Sequence, residues 1–210
     1  MSVPAQLPLA SAARGSVARR VCLVAGLLAL ALVWLGPFAT PAIGPFTEHM
    51  LRHMTLVTIA APLLVLGLPG LAGALTLSPL TASVVEFAVV WGWHLPALHD
   101  AARVASVPFA LEQGAFLLAG LLVWGSALQR GQALAGAGAL LLTSMHMTLL
   151  GALIVLSPAP LYLCTTAPAL ALDDQRLGGV VMLLIGTPIY LVGGLALVRG
   201  ALDARAETSP

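Results

Sequence analysis

His49 and His53 stand four residues apart in the segment Glu48-His49-Met50-Leu51-Arg52-His53-Met54. On an α-helix this spacing puts both imidazoles on one face, a turn apart, with Met50 and Met54 forming a stripe beside them. Imidazole ligates copper, zinc and iron, and thioether sulfur favours Cu(I) over hard ions, so the pattern reads as a copper-handling surface. It reads equally as two interfacial histidines bonded to lipid or neighbouring helices, with methionine filling gaps. His146 lies between Met145 and Met147, deep in an apolar run where an unpartnered ring is costly and faces the interior of a bundle.

His94 closes a further apolar run in Trp91-Gly92-Trp93-His94-Leu95-Pro96, where the tryptophans mark a membrane interface and the proline ends a helix. His99 and Asp100 follow directly, and the sequence places them in a solvated loop. Glu86 and Glu112 interrupt apolar runs and are functional candidates on that ground. Glu86 reads as a proton-relay group or as a neutral, hydrogen-bonded carboxyl, and Glu112, near the outer end of its helix, as half solvated. Asp173-Asp174-Gln175-Arg176 reads as a solvated loop with an N-cap aspartate. Cys22 and Cys164 lack CxxC spacing and read as lone apolar residues.

The elements that must position these groups are membrane helices. Of 210 residues 60% are hydrophobic and 8% charged, against about 25% charged in ordinary soluble domains, and the mean hydropathy is +1.02. With about 20 apolar residues per crossing, the chain is an all-α, polytopic bundle of about six spans. A net charge of +1 with no basic patch argues against nucleic acid as a partner. The expected spans are Val21–Pro37, Thr47–Leu68, Leu80–Leu95, Val107–Leu128, Ala133–Leu156 and Leu177–Val198, the third being the weakest. Residues 1–20 and 199–210 read as tails around a transmembrane domain at 21–198. The first run, followed by Ala39-Thr40-Pro41-Ala42, reads as a retained helix or as a cleaved signal.

Threading six spans alternately puts Arg14, Arg19, Arg20, Arg130, Arg199 and Arg205 on one side and Arg52, Arg103 and Arg176 on or near the other. Both termini are then cytoplasmic. His49, His53, His94, His99 and His146 all fall in or beyond the outer half of the bilayer.

From about residue 46 to 195 the chain resembles the CtaG family of integral-membrane assembly factors for caa3-type cytochrome c oxidase. The resemblance rests on HMLRHM running into Ala61-Pro62-Leu63-Leu64-Val65-Leu66-Gly67, on Trp93-His94-Leu95-Pro96-Ala97-Leu98, and on Phe116 to Trp124. It continues through His146 with Gly151, Tyr162, Asp174-Gln175, Gly178-Gly179 and Met182. It implies a non-enzymatic protein of the bacterial plasma (inner) membrane that helps insert copper into the catalytic subunit of the oxidase. Combined with the geometry above, the expected site is a transient Cu(I) site of His49, His53, His94 and His146, assisted by Met50, Met54, Met145 and Met147. The chain departs from the family at Phe109 and Gln113, which stand where members carry a second histidine pair, and at Leu183, often a tryptophan. The rival readings are a haem-binding redox protein, since histidines on facing helices ligate haem iron, and a small-solute or proton permease using Glu86 and His146.

Overall fold

A computed structural model describes residues 7–36, 43–74, 77–129, 131–162 and 168–208, and these contain helices and no strand. The helices are α1 (Leu7–Leu35), α2 (Pro45–Met54), a π-helical stretch (Thr55–Ala60), α3 (Ala61–Gly67), α4 (Pro69–Ala74), α5 (Pro79–Trp93), α6 (Pro96–Val104), α7 (Ser106–Ala127), α8 (Ala133–Leu156) and α9 (Pro168–Thr208). Five segments are long and apolar enough to cross a membrane: Gly15–Leu35, Pro45–Gly67, Ser106–Ala127, Ala133–Leu156 and Leu170–Ala206. The sixth, α5, has only 15 residues and is about 22 Å long at 1.5 Å per residue, short of the roughly 30 Å hydrocarbon core.

Contacts nevertheless make α5 a traverse of the bundle. Near its start Ser83 meets Thr143 in mid-α8, and at its end the His94 carbonyl accepts from Tyr162, beyond the end of α8. The start of α2, the end of α5, the start of α7, the end of α8 and the start of α9 therefore share one end of the bundle, called here the histidine end. α1 runs up to the same end, since Arg52 donates to the Val33 carbonyl while Gly67 packs on Leu23. The free ends of α1 and α9 consequently lie together at the opposite end.

Two interruptions of helical bonding explain how the bundle is pinned. In the π-helical stretch the Ala61 N–H reaches back five residues to Leu56. The next donor would be Pro62, which has none, so the Val57 carbonyl is left over. Trp124 Nε1–H donates to it at 2.9 Å, and the Tyr190 hydroxyl oxygen stands 3.4 Å away. Lipid cannot satisfy such a group, and helix packing does. Tyr190 donates to Glu86 at 2.5 Å, and Thr143 donates to the other carboxylate oxygen at 2.8 Å. Glu86 thus ties α5 to α8 and α9 as a buried, hydrogen-bonded carboxyl, one of the two readings the sequence left open.

The second interruption is the start of α2, whose first N–H groups have no intrahelical partner. Asp174 supplies one from α9: its carboxylate accepts from the N–H groups of Phe46 and Thr47 at 2.8 and 3.0 Å and from the Thr47 hydroxyl at 2.6 Å. Its neighbour Gln175 accepts from Leu161 N–H at 2.6 Å and donates to the Ile154 carbonyl at 3.1 Å, holding the chain that leaves α8. The expected loop at 173–176 is therefore helical. Both side chains cap other elements, and α9 continues through them from Pro168 to Thr208, well outside the expected Leu177–Val198. Residues 7–20, expected as tail, are likewise helical. Ala39–Ala42, Arg130 and Cys164 lie outside the described residues.

Candidate metal centre

Pro45 sits in the first turn of α2, where a missing N–H is harmless, and its register turns His49 and His53 inward. His53 is fully buried and His49 nearly so. His94 joins them from the C-cap of α5, with ring centroids 5.6 Å from His49 and 5.4 Å from His53. One ligand nitrogen from each of the three lies within 4.8 Å of the others.

The rings are held in orientation. His94 Nδ1 lies 2.6 Å from the Val90 carbonyl. A carbonyl only accepts, so Nδ1 carries the proton and the Nε2 lone pair faces the centre. His53 is stacked on Phe116 at 3.9 Å with an interplanar angle of 9°. His49 Nε2, both nitrogens of His53 and His94 Nε2 are buried with no hydrogen-bond partner. Four such atoms converging in a protein interior are expensive unless something binds them.

The structure adds two groups that sequence reasoning placed in solvent. His99 is not in a loop: Pro96 opens α6, and His99 is fully buried, with its ring 4.6 Å from that of His49. Burial, then the proximity of His49 and His94, holds its pKa far below the ordinary histidine range, so the ring is neutral and able to ligate. The available signal was Pro96 at a helix N1 position with Ala102 three residues beyond His99 on the same face. Glu112, expected half solvated, is buried. Its Oε2 lies 3.5 Å from His49 Nδ1 and accepts from Gln113 at 3.1 Å. His49, His99 and Glu112 form a second group whose ligand atoms lie within 4.8 Å.

The methionines are elsewhere. Met50 and Met54 are buried against α9: Cβ atoms added at Gly178 and Gly186 would stand 3.1 Å from Met50 Cγ and 3.2 Å from Met54 Sδ. Met147 is buried on the same seam, and Met145 is 68% exposed on the outward surface of α8. The cause is helical register, since residues one apart from a histidine point well away from it. His146 is buried against Phe87, with ring centroids 5.4 Å apart, and belongs to neither ligand group among the described residues. Cys22, half-buried on α1, is a free thiol.

A cavity of about 30 Å³ opens beside the centre, lined by Glu48, His49, Arg52, Arg103, Glu112 and Gln113 among others. Arg52 is paired with Glu48 at 2.8 Å, and Arg103 donates to the Pro45 carbonyl. The volume falls below the roughly 300–1,000 Å³ of sites that enclose drug-sized ligands; it suits an ion with water, not a macrocycle.

The sequence matches the family described as cytochrome c oxidase caa3 assembly factor over residues 6–203. No curated protein and no solved structure matches the chain.

Proposed function

We propose, on the premise that the chain belongs to the cytochrome c oxidase caa3 assembly factor family, that it carries Cu(I) on His49, His53 and His94 and passes it to the catalytic subunit of the oxidase. The observation that carries this reading is the convergence of three buried imidazoles with unpartnered nitrogens. Copper is here a cargo. Three neutral nitrogens without a thiolate hold it exchangeably, as release to a partner requires. His49 stands both in this trio and on the cavity wall, so ligand exchange proceeds through it. The small cavity gives the haem reading no support, and Glu86, which the permease reading requires, is held in place by Tyr190 and Thr143.

Titration of the purified protein with Cu(I) against a chromophoric chelator should show one equivalent bound. His53→Ala and His94→Ala should each weaken binding at least about tenfold, some 1.4 kcal/mol. Unchanged affinity in both variants refutes the assignment.

The arginine bias supports a topology in which the histidine end faces outward and both termini are cytoplasmic. A reporter that works only in the cytoplasm, fused after Pro210, should be active. Activity only from the externally competent reporter reverses the orientation.

A further inference from the structure

The geometry points to a second cation site, His49–His99–Glu112, which takes a borderline divalent ion of the Zn²⁺ or Co²⁺ class and shares His49 with the imidazole trio, so that the two sites exclude each other. This inference rests on the copper reading only for its competition arm. The site itself stands on its own residues.

Three observations carry it. The ligand atoms of His49, His99 and Glu112 lie within 4.8 Å of one another, although they come from three separate helices. Glu112 Oε1 is buried without a hydrogen-bond partner, while Oε2 is fixed by Gln113 at 3.1 Å and faces His49 Nδ1 at 3.5 Å. Gln113 is therefore a positioning residue that leaves one carboxylate oxygen for a ligand. Finally, His49 and Glu112 line the cavity, and His53 and His94 do not, so this group is the station nearer the mouth.

The donor chemistry separates the two sites. Two imidazoles and a carboxylate match the nitrogen and oxygen donors of open zinc-type sites, which complete their coordination with water. A single carboxylate also lowers the charge left by a divalent ion in a low-dielectric place, which the all-imidazole trio cannot do. Around the cavity Glu48 pairs with Arg52 at 2.8 Å, and Arg103 is engaged by the Pro45 carbonyl. Two ions at once would share one imidazole and repel each other at short range in poorly screened surroundings.

Co²⁺ is the probe, because its visible absorption reports coordination directly. The full-length protein in detergent should bind one equivalent of Co²⁺. Glu112→Gln, nearly the same shape, and His99→Ala should each weaken binding at least tenfold, and His94→Ala should retain it. Cu(I) loaded beforehand should block the Co²⁺ spectrum. Equal Co²⁺ affinity in wild type and in Glu112→Gln overturns the site, and simultaneous binding of both ions overturns the sharing of His49. If Cu(I) fails to bind while Co²⁺ binding depends on Glu112, the copper reading falls and this site stands. An elution profile and helical circular dichroism matching the wild type confirm that Glu112→Gln is folded. If it is not, Gln113→Leu, which frees Glu112 Oε2 without removing the carboxylate, should weaken Co²⁺ binding, and unchanged binding there overturns the site.

Discussion

In a strain whose only copy of the gene carries His49→Ala, oxidase activity is expected to fall to the level of a strain lacking the protein, with oxidase subunits and their haem still present. His49 is the side chain whose loss reaches furthest. It belongs to both ligand groups and lines the cavity that leads to them. Its removal leaves His53 and His94 as a two-coordinate remnant. Added copper should restore part of the activity, since mass action fills a weak delivery route. Cys22→Ser, which touches none of these groups, should be mild. A scaffold that only steadies the oxidase makes the opposite prediction: subunits become scarce and copper does not help. Full oxidase activity in the His49→Ala strain, with the deletion strain inactive, would remove copper handling from the explanation.

The membrane class and the helical crossings are legible in the sequence because they depend on composition and run length alone. The pairing of His49 with His53 is legible as well, since a four-residue spacing fixes a shared helix face. What the sequence hides is every relation across helices. Met50 and Met54 are adjacent in sequence to the two histidines, and adjacency suggested a mixed His and Met surface. The turn of the helix instead sends them to Gly178 and Gly186 of α9.

His99 and Glu112 fail in the opposite direction. His99 reads as a solvated loop residue and Glu112 as half solvated near its helix end, yet both are buried, His99 against Phe46 and Tyr162 and Glu112 against His49. Asp174 and Gln175 stand among charged residues that suggest a loop. Only the assembled structure provides the α2 N-terminus and the Ile154 carbonyl that they satisfy. Tyr162, Gly178 and Asp174, which carry part of the family resemblance, turn out to hold the helices around the histidines in place.

Gly178→Val should therefore abolish or greatly weaken copper binding although it changes no ligand. A Cβ at Gly178 would stand 2.5 Å from Phe46 Cδ1 and 2.8 Å from Cε1, and Phe46 has nowhere to retreat. Its ring is stacked on Tyr162 at 4.5 Å and lies 5.3 Å from that of His99, while Tyr162 donates to the His94 carbonyl at 2.9 Å. Pressure from α9 is thus passed through one rigid ring to both ligand groups. Overpacking of this kind costs about 1–3 kcal/mol, and flexible neighbours would absorb much of it. Gly186→Ala gives the comparison, because the nearest atom there is Met54 Sδ at 3.2 Å, which can swing aside, so binding should survive. Gly138→Ala meets nothing within 4 Å and should raise helix stability by roughly 0.5–1 kcal/mol. Trimming the obstacle in Phe46→Leu/Gly178→Ala should recover Cu(I) affinity relative to Gly178→Val. Cu(I) titration of these four variants, alongside thermal unfolding in detergent, tests the chain of contacts. Wild-type affinity in a folded Gly178→Val protein would show that Phe46 is not the rigid link between α9 and the metal centre.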